Sequence, residues 1–175
     1  MRRESGLNLA LVLAAVHALS TAPSGPPFRP SFVVTGGPCS GKTTAIKALP
    51  PVLEGHQLIK VPEAATLYFE RGGALPFGTA ADASGTYSPA ARNLLWEAWL
   101  VELKISLENS AHAAGAALLR ESGVASAVVC DRGIFDSRAY LVDDAEWAEL
   151  LRLGRWDEAD LLARYDGVAC LDVVR

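Results

Sequence analysis

Residues 36–43 read GGPCSGKT and match the phosphate-binding loop pattern G-x-x-x-x-G-K-[S/T] at each fixed position. The apolar run SFVVT at residues 31–35 precedes the loop, and the helix-forming stretch KTTAIKAL follows it until Pro50 and Pro51. A buried strand and a helix are what bring backbone N–H groups together around a phosphate. The sequence therefore predicts a strand, a phosphate-binding loop and a helix in this order.

Four positions of the loop have a physical role in this interpretation. Gly36 and Gly41 allow a backbone with positive φ and a close approach of the anion. Lys42 would reach the β- and γ-phosphates of a nucleotide, and the hydroxyl of Thr43 would bind Mg²⁺. The loop thus predicts a nucleotide together with Mg²⁺ as its ligands.

Length and composition indicate one globular domain. The chain has 175 residues, of which 50% are hydrophobic and 21% charged, enough for one α/β domain with a sizeable core. The net charge of −4 provides no basic face, so a nucleic-acid partner is not expected. The three cysteines lack the spacing of a disulfide framework or a metal cluster. Cys130 and Cys170 lie in apolar runs and are expected to be small buried hydrophobic residues.

The first thirty residues differ in composition from the rest of the chain. Two arginines precede an apolar stretch at residues 7–19, and a small-residue and proline-rich segment follows at residues 20–30. This order is typical of a secretory-type leader, although the apolar stretch is too short to predict a transmembrane helix. We expect a leader or targeting-like extension over residues 1–30 and a nucleotide-binding domain over residues 31–175. The expected location is intracellular, and the leader could direct import into an organelle. An upstream extension without a targeting role, or a wrongly assigned start, is the alternative.

Beyond the leader, apolar runs alternate with helical patterns, which is typical of an α/β fold with a parallel sheet and helices on both faces. The predicted strands span residues 32–35, 57–61, 125–130 and 167–174. A long helix is predicted to begin with Ser88 as its N-cap and Pro89 as its first residue. Its apolar stripe, within residues 94–105, is assigned to core packing. Further short helices are predicted over residues 145–153 and 158–164, and residues 72–87 form either a substrate-closing loop or a plain surface loop.

An acidic residue follows the second predicted strand in the segment VPEAA. Glu63 would lie at the carboxyl edge of the sheet, where ligands of open α/β folds bind. A carboxylate at this edge can accept a proton from an attacking hydroxyl group or hold water on Mg²⁺. A helix-capping or solvated glutamate is the alternative.

The third predicted strand ends in the segment AVVCDRG. Asp131 is the predicted Walker B carboxylate, so Thr43 and Asp131 form the predicted metal site. Arg132 would carry positive charge toward the phosphates or a phosphate-bearing substrate, with a structural salt bridge as the alternative. The second-substrate side could be lined by Asp136, Arg138 and Tyr140. The catalytic candidates are Lys42, Glu63, Asp131 and Arg132.

Four segments in this order, GGPCSGKTT, VPEAA, VCDRGIFDSRAYL and LLARYDGVACL, resemble the NadR-like AAA group of P-loop proteins. This group includes the nicotinamide riboside kinase domain of NadR and the eukaryotic TRPL translocation defect protein, and the resemblance is closer to the latter. It implies a kinase-like P-loop fold with strand order 2-3-1-4-5 and binding of a purine nucleotide, GTP in the translocation protein. It also implies metal or phosphate contacts by Asp131 and Arg132. The phosphate-binding residues that it implies are Gly37, Pro38, Cys39, Ser40, Gly41, Lys42, Thr43 and Thr44.

The family pattern continues after the last predicted strand into a lid region, a fifth strand and a base-recognition loop. The present sequence ends at Arg175, so we expect a domain that is incomplete at its C-terminus, with an unpaired sheet edge. The lipid-binding domain of the translocation protein has no counterpart here, and direct membrane binding is not expected for this chain.

Three functions are consistent with these residues. The leading hypothesis is Mg²⁺-dependent binding of GTP or ATP, with nucleotide hydrolysis or a switch role in intracellular transport. The second is a small-molecule kinase that acts on nicotinamide riboside or a nucleoside, with Glu63 or Asp136 as the proton acceptor. The third is an inactive truncated fragment. The choice between GTP and ATP and the identity of protein partners stay open.

Overall fold

The structure is a computed structural model that describes residues 30–53, 55–70 and 88–172. The predicted leader, the predicted loop at residues 72–87 and the end of the last predicted strand lie outside the described residues. Within the described ranges, strands and helices alternate as the sequence predicts.

The described strands form one sheet. They are β1 (Ser31–Gly36), β2 (Val52–Leu53), β3 (His56–Val61), β4 (Ser126–Asp131) and β5 (Gly167–Leu171). Their spatial order is β2-β3-β4-β1-β5; β3, β4, β1 and β5 are parallel, whereas β2 pairs with β3 in the antiparallel direction. The four predicted strands are confirmed. When they are numbered as predicted, without the additional β2, they lie in the order 2-3-1-4. This agrees with the first four positions of the order 2-3-1-4-5 that the resemblance implies. The short β2 was not predicted.

The described helices connect these strands. They are α1 (Lys42–Ala48), α2 (Ala64–Glu70), α3 (Pro89–Ser122), α4 (Asp144–Gly154) and α5 (Glu158–Leu162), with a 3-10 helix (Ile134–Tyr140) between β4 and α4. The predicted start of α3 is confirmed, because Ser88 Oγ accepts a hydrogen bond of 3.1 Å from the backbone N–H of Ala91. No helix in the described ranges combines the length and the apolar character needed to cross a bilayer.

Helices cover both faces of the sheet because the side chains of β1 alternate between them. Phe32 and Val34 pack on one face with Ile46 of α1, and Val33 packs on the other face with Ala111 of α3. Each face therefore has its own apolar layer. The predicted α/β fold with a parallel sheet between helices is confirmed.

The cysteine prediction holds for only one of the two residues. Cys130 is fully buried in β4, at the centre of the sheet. Cys170 is exposed, and Val168, two residues earlier on the same face of β5, is 60% exposed. The prediction for Cys170 was wrong because this face of β5 is not covered by the described elements.

The buried face of α3 also differs from the predicted apolar stripe. Leu94, Ala98 and Ile105 are only partly buried at the edge of an apolar cluster. The buried positions of the helix are Glu97, Leu100, Val101, Lys104, Glu108, Ala111 and Gly115. Three charged residues therefore lie on the side of α3 that faces the interior.

Candidate functional site

The carboxyl ends of the parallel strands meet at one edge of the sheet. Val34 of β1 pairs with Asp131 of β4, and Val61 of β3 pairs with Cys130. The loop after β1 and the residues after β3 and β4 therefore begin side by side. Ligands of open α/β sheets bind at this edge.

The loop after β1 is shaped by backbone conformations with positive φ. They occur at Gly36 (137°), Cys39 (60°) and Gly41 (85°). A Cβ atom on Gly36 would lie 2.2 Å from the carbonyl oxygen of Leu171, a distance that side chains do not adopt. Glycine is thus required where β1 passes into the loop, both for its φ and for its close contact with β5.

Lys42 is held inside the loop although it carries a charge. Its side chain is 7% exposed, and its ammonium group donates hydrogen bonds to the carbonyl oxygens of Gly36 (2.9 Å) and Gly37 (2.7 Å) and to Ser40 Oγ (3.3 Å). Charge-assisted hydrogen bonds of this kind fix the ammonium group at the centre of the loop. A phosphate that entered the loop would meet a positive charge already in position.

A cleft of about 420 Å³ opens beside the loop. Two predicted catalytic residues from other elements, Glu63 and Arg132, also line it. The loop residues that line the cleft are Pro38, Cys39, Ser40, Gly41, Lys42, Thr43 and Thr44. The structure therefore brings together residues as far apart in the chain as Pro38 and Arg132.

Thr43 and Asp131, the predicted metal ligands, are in direct contact. The Thr43 hydroxyl donates a hydrogen bond of 2.9 Å to Asp131 Oδ2. Asp131 is 7% exposed, and its buried Oδ1 has no hydrogen-bond partner among the residues that the structure describes. Buried polar atoms are normally paired, so an unpartnered carboxylate oxygen at this position fits a bound cation. Hydroxyl and carboxylate oxygens are ligands that Mg²⁺ prefers, and the two residues fit a magnesium site.

The surroundings of Asp131 act on its protonation in opposite directions. Burial raises the pKa of Asp131, and the negative charge of Glu63 raises it further. The hydrogen bond from Thr43 and the positive charges of Lys42 and Arg132 lower the pKa but do not outweigh burial. A cation at Oδ1 would stabilise the ionised carboxylate.

Arg132 lies between the cleft and two carboxylates. Its Nε is 2.6 Å from Glu63 Oε1, and its Nη1 is 3.3 Å from Asp136 Oδ1. Nη1 also donates to the carbonyl oxygen of Gly36 at 3.4 Å. The backbone of Arg132 has the left-handed φ of 67°, which turns the chain at the end of β4. Arg132 therefore forms the structural ion pairs of the alternative hypothesis and also lines the cleft.

Glu63 has a structural role beside its place in the cleft. Its Oε2 accepts a hydrogen bond of 2.7 Å from the Thr66 hydroxyl, and its carbonyl oxygen accepts one of 2.9 Å from the backbone N–H of Leu67. These are the contacts of a residue that starts a helix, here α2. Glu63 therefore makes the contacts of the helix-capping alternative and also lines the cleft.

The three residues considered for a second substrate separate into two groups. Asp136 accepts hydrogen bonds from the Thr35 hydroxyl and from the backbone N–H of Gly133, so it joins the ends of β1 and β4. Arg138 lies away from the cleft, with Nη2 2.6 Å from Asp144 Oδ1. Asp136 and Tyr140 do line a cavity beside the cleft.

This second cavity has a volume of about 280 Å³ and shares Glu63 and Arg132 with the cleft. Its walls come from α2, α3 and the 3-10 helix. Glu97 and Lys104 of α3 line it and were not predicted from the sequence. Their spacing in the sequence could have indicated that they are buried, because both lie on the same face of α3 as the buried residues Val101 and Ala111.

Comparisons with known proteins agree with this arrangement. A family model described as an AAA domain matches residues 31–173 of the chain. The match includes the loop, both ends of the parallel strands and the second cavity. No match was found among curated proteins. P-loop domains of this kind generally bind nucleotides together with Mg²⁺.

Proposed function

This chain belongs to the family of AAA domains, and we propose that it binds a purine nucleoside triphosphate, GTP or ATP, together with Mg²⁺. One observation carries the proposal: the hydrogen-bonded pair of Thr43 and Asp131, with its unpartnered buried oxygen, lies next to the loop that holds Lys42. A phosphate site and a cation site are thus adjacent. This is the pair of sites that a nucleotide with bound magnesium requires.

The loop would bind the phosphates through its backbone N–H groups, over residues 37–44. Lys42 would exchange contacts with the carbonyl oxygens of Gly36 and Gly37 for contacts with the β- and γ-phosphates. Thr43 and Asp131 would hold Mg²⁺, which supplies positive charge to the phosphate oxygens when bound. Arg132, which lines the cleft, would add a second positive charge.

Two more specific functions come from the resemblance to the translocation protein. They are nucleotide hydrolysis and a switch role in intracellular transport. A switch requires that the two nucleotide states stabilise different conformations. The pairing of Arg132 with Glu63 and Asp136 is the contact that a γ-phosphate would compete with most directly.

The domain organisation is part of the same proposal. Residues 31–175 would form the nucleotide-binding domain, and residues 1–30 a targeting extension of an intracellular protein. A fluorescent reporter fused to residues 1–30 would test this. Transfer of the reporter into an organelle supports the extension as a signal, and a diffuse reporter contradicts it.

Displacement of a fluorescent GTP analogue from the full chain tests the nucleotide preference. With Mg²⁺ present, we expect GTP or ATP to displace the analogue at micromolar concentration, and CTP and UTP to be at least about tenfold weaker. Release of inorganic phosphate from the preferred nucleotide then measures hydrolysis. Equal displacement by all four nucleotides would contradict the purine preference, and no analogue binding at all would favour the inactive-fragment alternative.

A small-molecule kinase is the second candidate, and the second cavity favours it. The cavity and the cleft meet at Glu63 and Arg132, so an acceptor in the cavity would lie beside the terminal phosphate. The acceptor oxygen would bond to the γ-phosphorus, and the bond from this phosphorus to the bridging oxygen of the β-phosphate would break. The hydroxyl proton would pass to the carboxylate of Glu63, and the nucleoside diphosphate would leave.

Acceptor-dependent release of the diphosphate distinguishes the kinase from the switch. Nicotinamide riboside and common nucleosides are the first acceptors to test. For a kinase, Glu63→Gln should lose transfer while its nucleotide affinity is retained. If no acceptor raises diphosphate release above the hydrolysis rate, the switch hypothesis is favoured.

A further inference from the structure

The turn after β4 holds Arg132 in a strained backbone conformation. Its φ of 67° lies in the left-handed region, which residues with a side chain rarely adopt. Such a conformation persists only where the surrounding structure holds it in place. The side chain of Arg132 lines the phosphate cleft. The groups that hold this turn therefore also determine where the guanidinium group lies in the cleft.

Three successive backbone N–H groups of the turn are hydrogen-bonded. The N–H of Arg132 donates to a carbonyl oxygen of β1 at 3.0 Å, and the N–H of Gly133 donates to Asp136 Oδ2 at 2.7 Å. The N–H of Ile134 donates to the hydroxyl oxygen of Tyr165 at 3.0 Å. Tyr165 lies between α5 and β5, so the third contact ties the turn to a separate part of the chain.

The hydroxyl of Tyr165 is itself oriented by a buried carboxylate. It donates a hydrogen bond of 2.6 Å to Oε1 of Glu108, a residue of α3 that is 2% exposed. The other oxygen, Oε2, accepts a hydrogen bond of 2.8 Å from Arg164 Nε. Both oxygens of Glu108 are thus paired, and the O–H bond of Tyr165 points at one of them. The lone pairs of the hydroxyl are left to accept from Ile134.

The Tyr165 hydroxyl keeps its proton in this environment. Burial raises the pKa of Tyr165, and the negative charge of Glu108 raises it further. The hydroxyl can therefore donate to the carboxylate and accept from the backbone at neutral pH. Without the hydroxyl, the N–H of the fully buried Ile134 and one oxygen of Glu108 would lose their partner, and unpaired buried groups are unfavourable.

The contacts of Tyr165 and Glu108 point to an effect on the nucleotide site through the turn. The described residues that line the phosphate cleft do not include either of them. A buried ion pair such as that of Glu108 with Arg164 is no more stabilising than well-packed apolar side chains of similar volume. What the arrangement does provide is a hydroxyl group in a fixed position, two residues beyond Arg132.

We propose that Tyr165, oriented by Glu108, is a positioning residue that holds Arg132 ready to contact the terminal phosphate of a bound triphosphate. This rests on the proposed function, because it assigns how the nucleotide site distinguishes a triphosphate from a diphosphate. In the free chain, Arg132 is paired with Glu63 and Asp136. With the turn held, only the side chain has to move from these carboxylates to the phosphate. Without the Tyr165 hydroxyl, the turn would also have to be ordered on binding, which lowers affinity.

Affinities of the full chain for triphosphate analogues and for diphosphates test this role. The β,γ-imido analogues of GTP and ATP are titrated with Mg²⁺ by isothermal titration calorimetry, beside GDP and ADP. Tyr165→Phe should lower the affinity for the preferred analogue at least about fivefold and change the affinity for its diphosphate by less than about twofold. The diphosphate is spared because it has no terminal phosphate for Arg132 to contact. A purely structural role of Tyr165 would not change the ratio of the two affinities.

A double-mutant cycle shows whether the effect passes through Arg132. Arg132→Ala alone should lower the affinity for the triphosphate analogue at least about tenfold. Adding Tyr165→Phe to this variant should change the affinity by less than about twofold, because the residue to be positioned is absent. Glu108→Gln should act in the same direction as Tyr165→Phe. Glu102→Gln, at an exposed position of α3, is its matched control and should leave both affinities within about twofold.

Amide hydrogen exchange of the nucleotide-free chain tests the positioning without any ligand. In Tyr165→Phe, the amides of Arg132 and Gly133 should exchange at least about tenfold faster relative to the amides of β1. Leu58→Ala, at a buried position of β3, is the control for a general loss of stability and should leave this ratio within about twofold. If the wild type bound no nucleotide, the proposed function would fail, and the exchange ratio would still decide whether Tyr165 holds the turn.

Three results would overturn the proposal. The first is that Tyr165→Phe, shown by circular dichroism to be folded, binds the triphosphate analogue as tightly as the wild type or loses affinity for the diphosphate equally. The second is that Tyr165→Phe has the same effect on affinity with and without Arg132. The third is that the exchange ratio of the turn does not change in Tyr165→Phe.

Discussion

The phosphate cleft and the second cavity share Glu63 and Arg132 but are built in different ways. The cleft is formed mainly by consecutive backbone of the loop, whose shape depends on positive φ at Gly36 and Gly41. The cavity is formed by side chains of α2, α3 and the 3-10 helix, which are far apart in the sequence. A site made of consecutive backbone has a short sequence pattern, whereas a site made between elements does not.

The two regions should therefore respond differently to substitution. At the cleft, the same atoms shape the backbone and bind the ligand, so substitutions there should change stability and affinity together. At the cavity, Phe69 and Tyr140 are partly exposed and contribute less to the fold. Substitutions there should change ligand binding with smaller effects on stability.

The largest effect is expected for Gly36→Ala. The new Cβ would lie 2.2 Å from the carbonyl oxygen of Leu171, at a φ of 137° that side chains rarely adopt. Backbone strain and overpacking together should lower the free energy of unfolding by roughly 2–5 kcal/mol. Urea denaturation followed by circular dichroism measures this, and nucleotide binding should be lost.

Gly123→Ala is the matched control for Gly36→Ala. Gly123 also has a positive φ, 70°, but an added Cβ would meet no atom within 4 Å. Its cost should be limited to the left-handed conformation, roughly 1–2 kcal/mol. An equal loss of unfolding free energy in Gly36→Ala and Gly123→Ala would show that the close contact of Gly36 with β5 does not matter for stability.

Asp131→Asn should give the next largest effect, on ligand binding. The neutral amide cannot neutralise Mg²⁺, so affinity for a triphosphate with Mg²⁺ should fall about 10–100-fold, toward the affinity measured without Mg²⁺. The unliganded variant should be no less stable than the wild type, because the substitution removes the negative charge of a buried carboxylate. Retention of the full Mg²⁺ effect in the variant would contradict the metal site.

Asp136→Asn is a matched substitution with a different expected result. Asp136 accepts hydrogen bonds from Thr35 and Gly133 and pairs with Arg132, so its charge is satisfied within the fold. The amide should lower the free energy of unfolding by about 1–3 kcal/mol. Thermal unfolding of Asp131→Asn and Asp136→Asn side by side measures the contrast, and equal stabilities would contradict the separate environments of the two carboxylates.

The smallest effect concerns Glu97 in the second cavity and depends on pH. Burial raises the pKa of Glu97 in the folded chain. The folded state then binds more protons than the unfolded state, so the contribution of Glu97 to stability falls as pH rises above the unfolded pKa. Glu97→Gln has no ionisable group at this position, so its stability does not fall with pH for this reason.

Denaturation of wild type and Glu97→Gln over a range of pH measures this difference. The stability of the variant relative to the wild type should increase from acid pH toward neutral pH. A relative stability that decreases over this interval would mean that the folded state lowers the pKa of Glu97, contrary to the structure.

The same contrast explains what the sequence could predict. The loop, the four parallel strands and the start of α3 have local signals, namely the glycine pattern, apolar runs and the Ser88–Pro89 cap, and the structure confirms them. The two-residue β2 and the 3-10 helix have no periodicity long enough to be recognised. The exposure of Cys170 depends on which elements cover β5, and this is a tertiary property.

The candidate site could be predicted only in part for the same reason. Glu63, Asp131 and Arg132 follow strands, so the rule that ligands bind at strand ends finds them. Their partners could not be predicted, since the pairing of Arg132 with Asp136 and the start of α2 at Glu63 depend on the turns after β3 and β4. Glu97 and Lys104 were missed because charged residues within a helix are usually solvated, and only the burial of α3 shows otherwise.

Titration of a triphosphate into the full chain, with and without Mg²⁺, tests the central claim most directly. We expect micromolar binding that requires Mg²⁺ and that falls at least about tenfold in Lys42→Ala, because the Lys42 ammonium group is held at the centre of the loop. Lys47→Ala, at an exposed position of α1, is the control and should bind as the wild type does. Binding of equal strength in Lys42→Ala, or binding that is indifferent to Mg²⁺, would contradict a Mg²⁺-dependent nucleotide site at this loop.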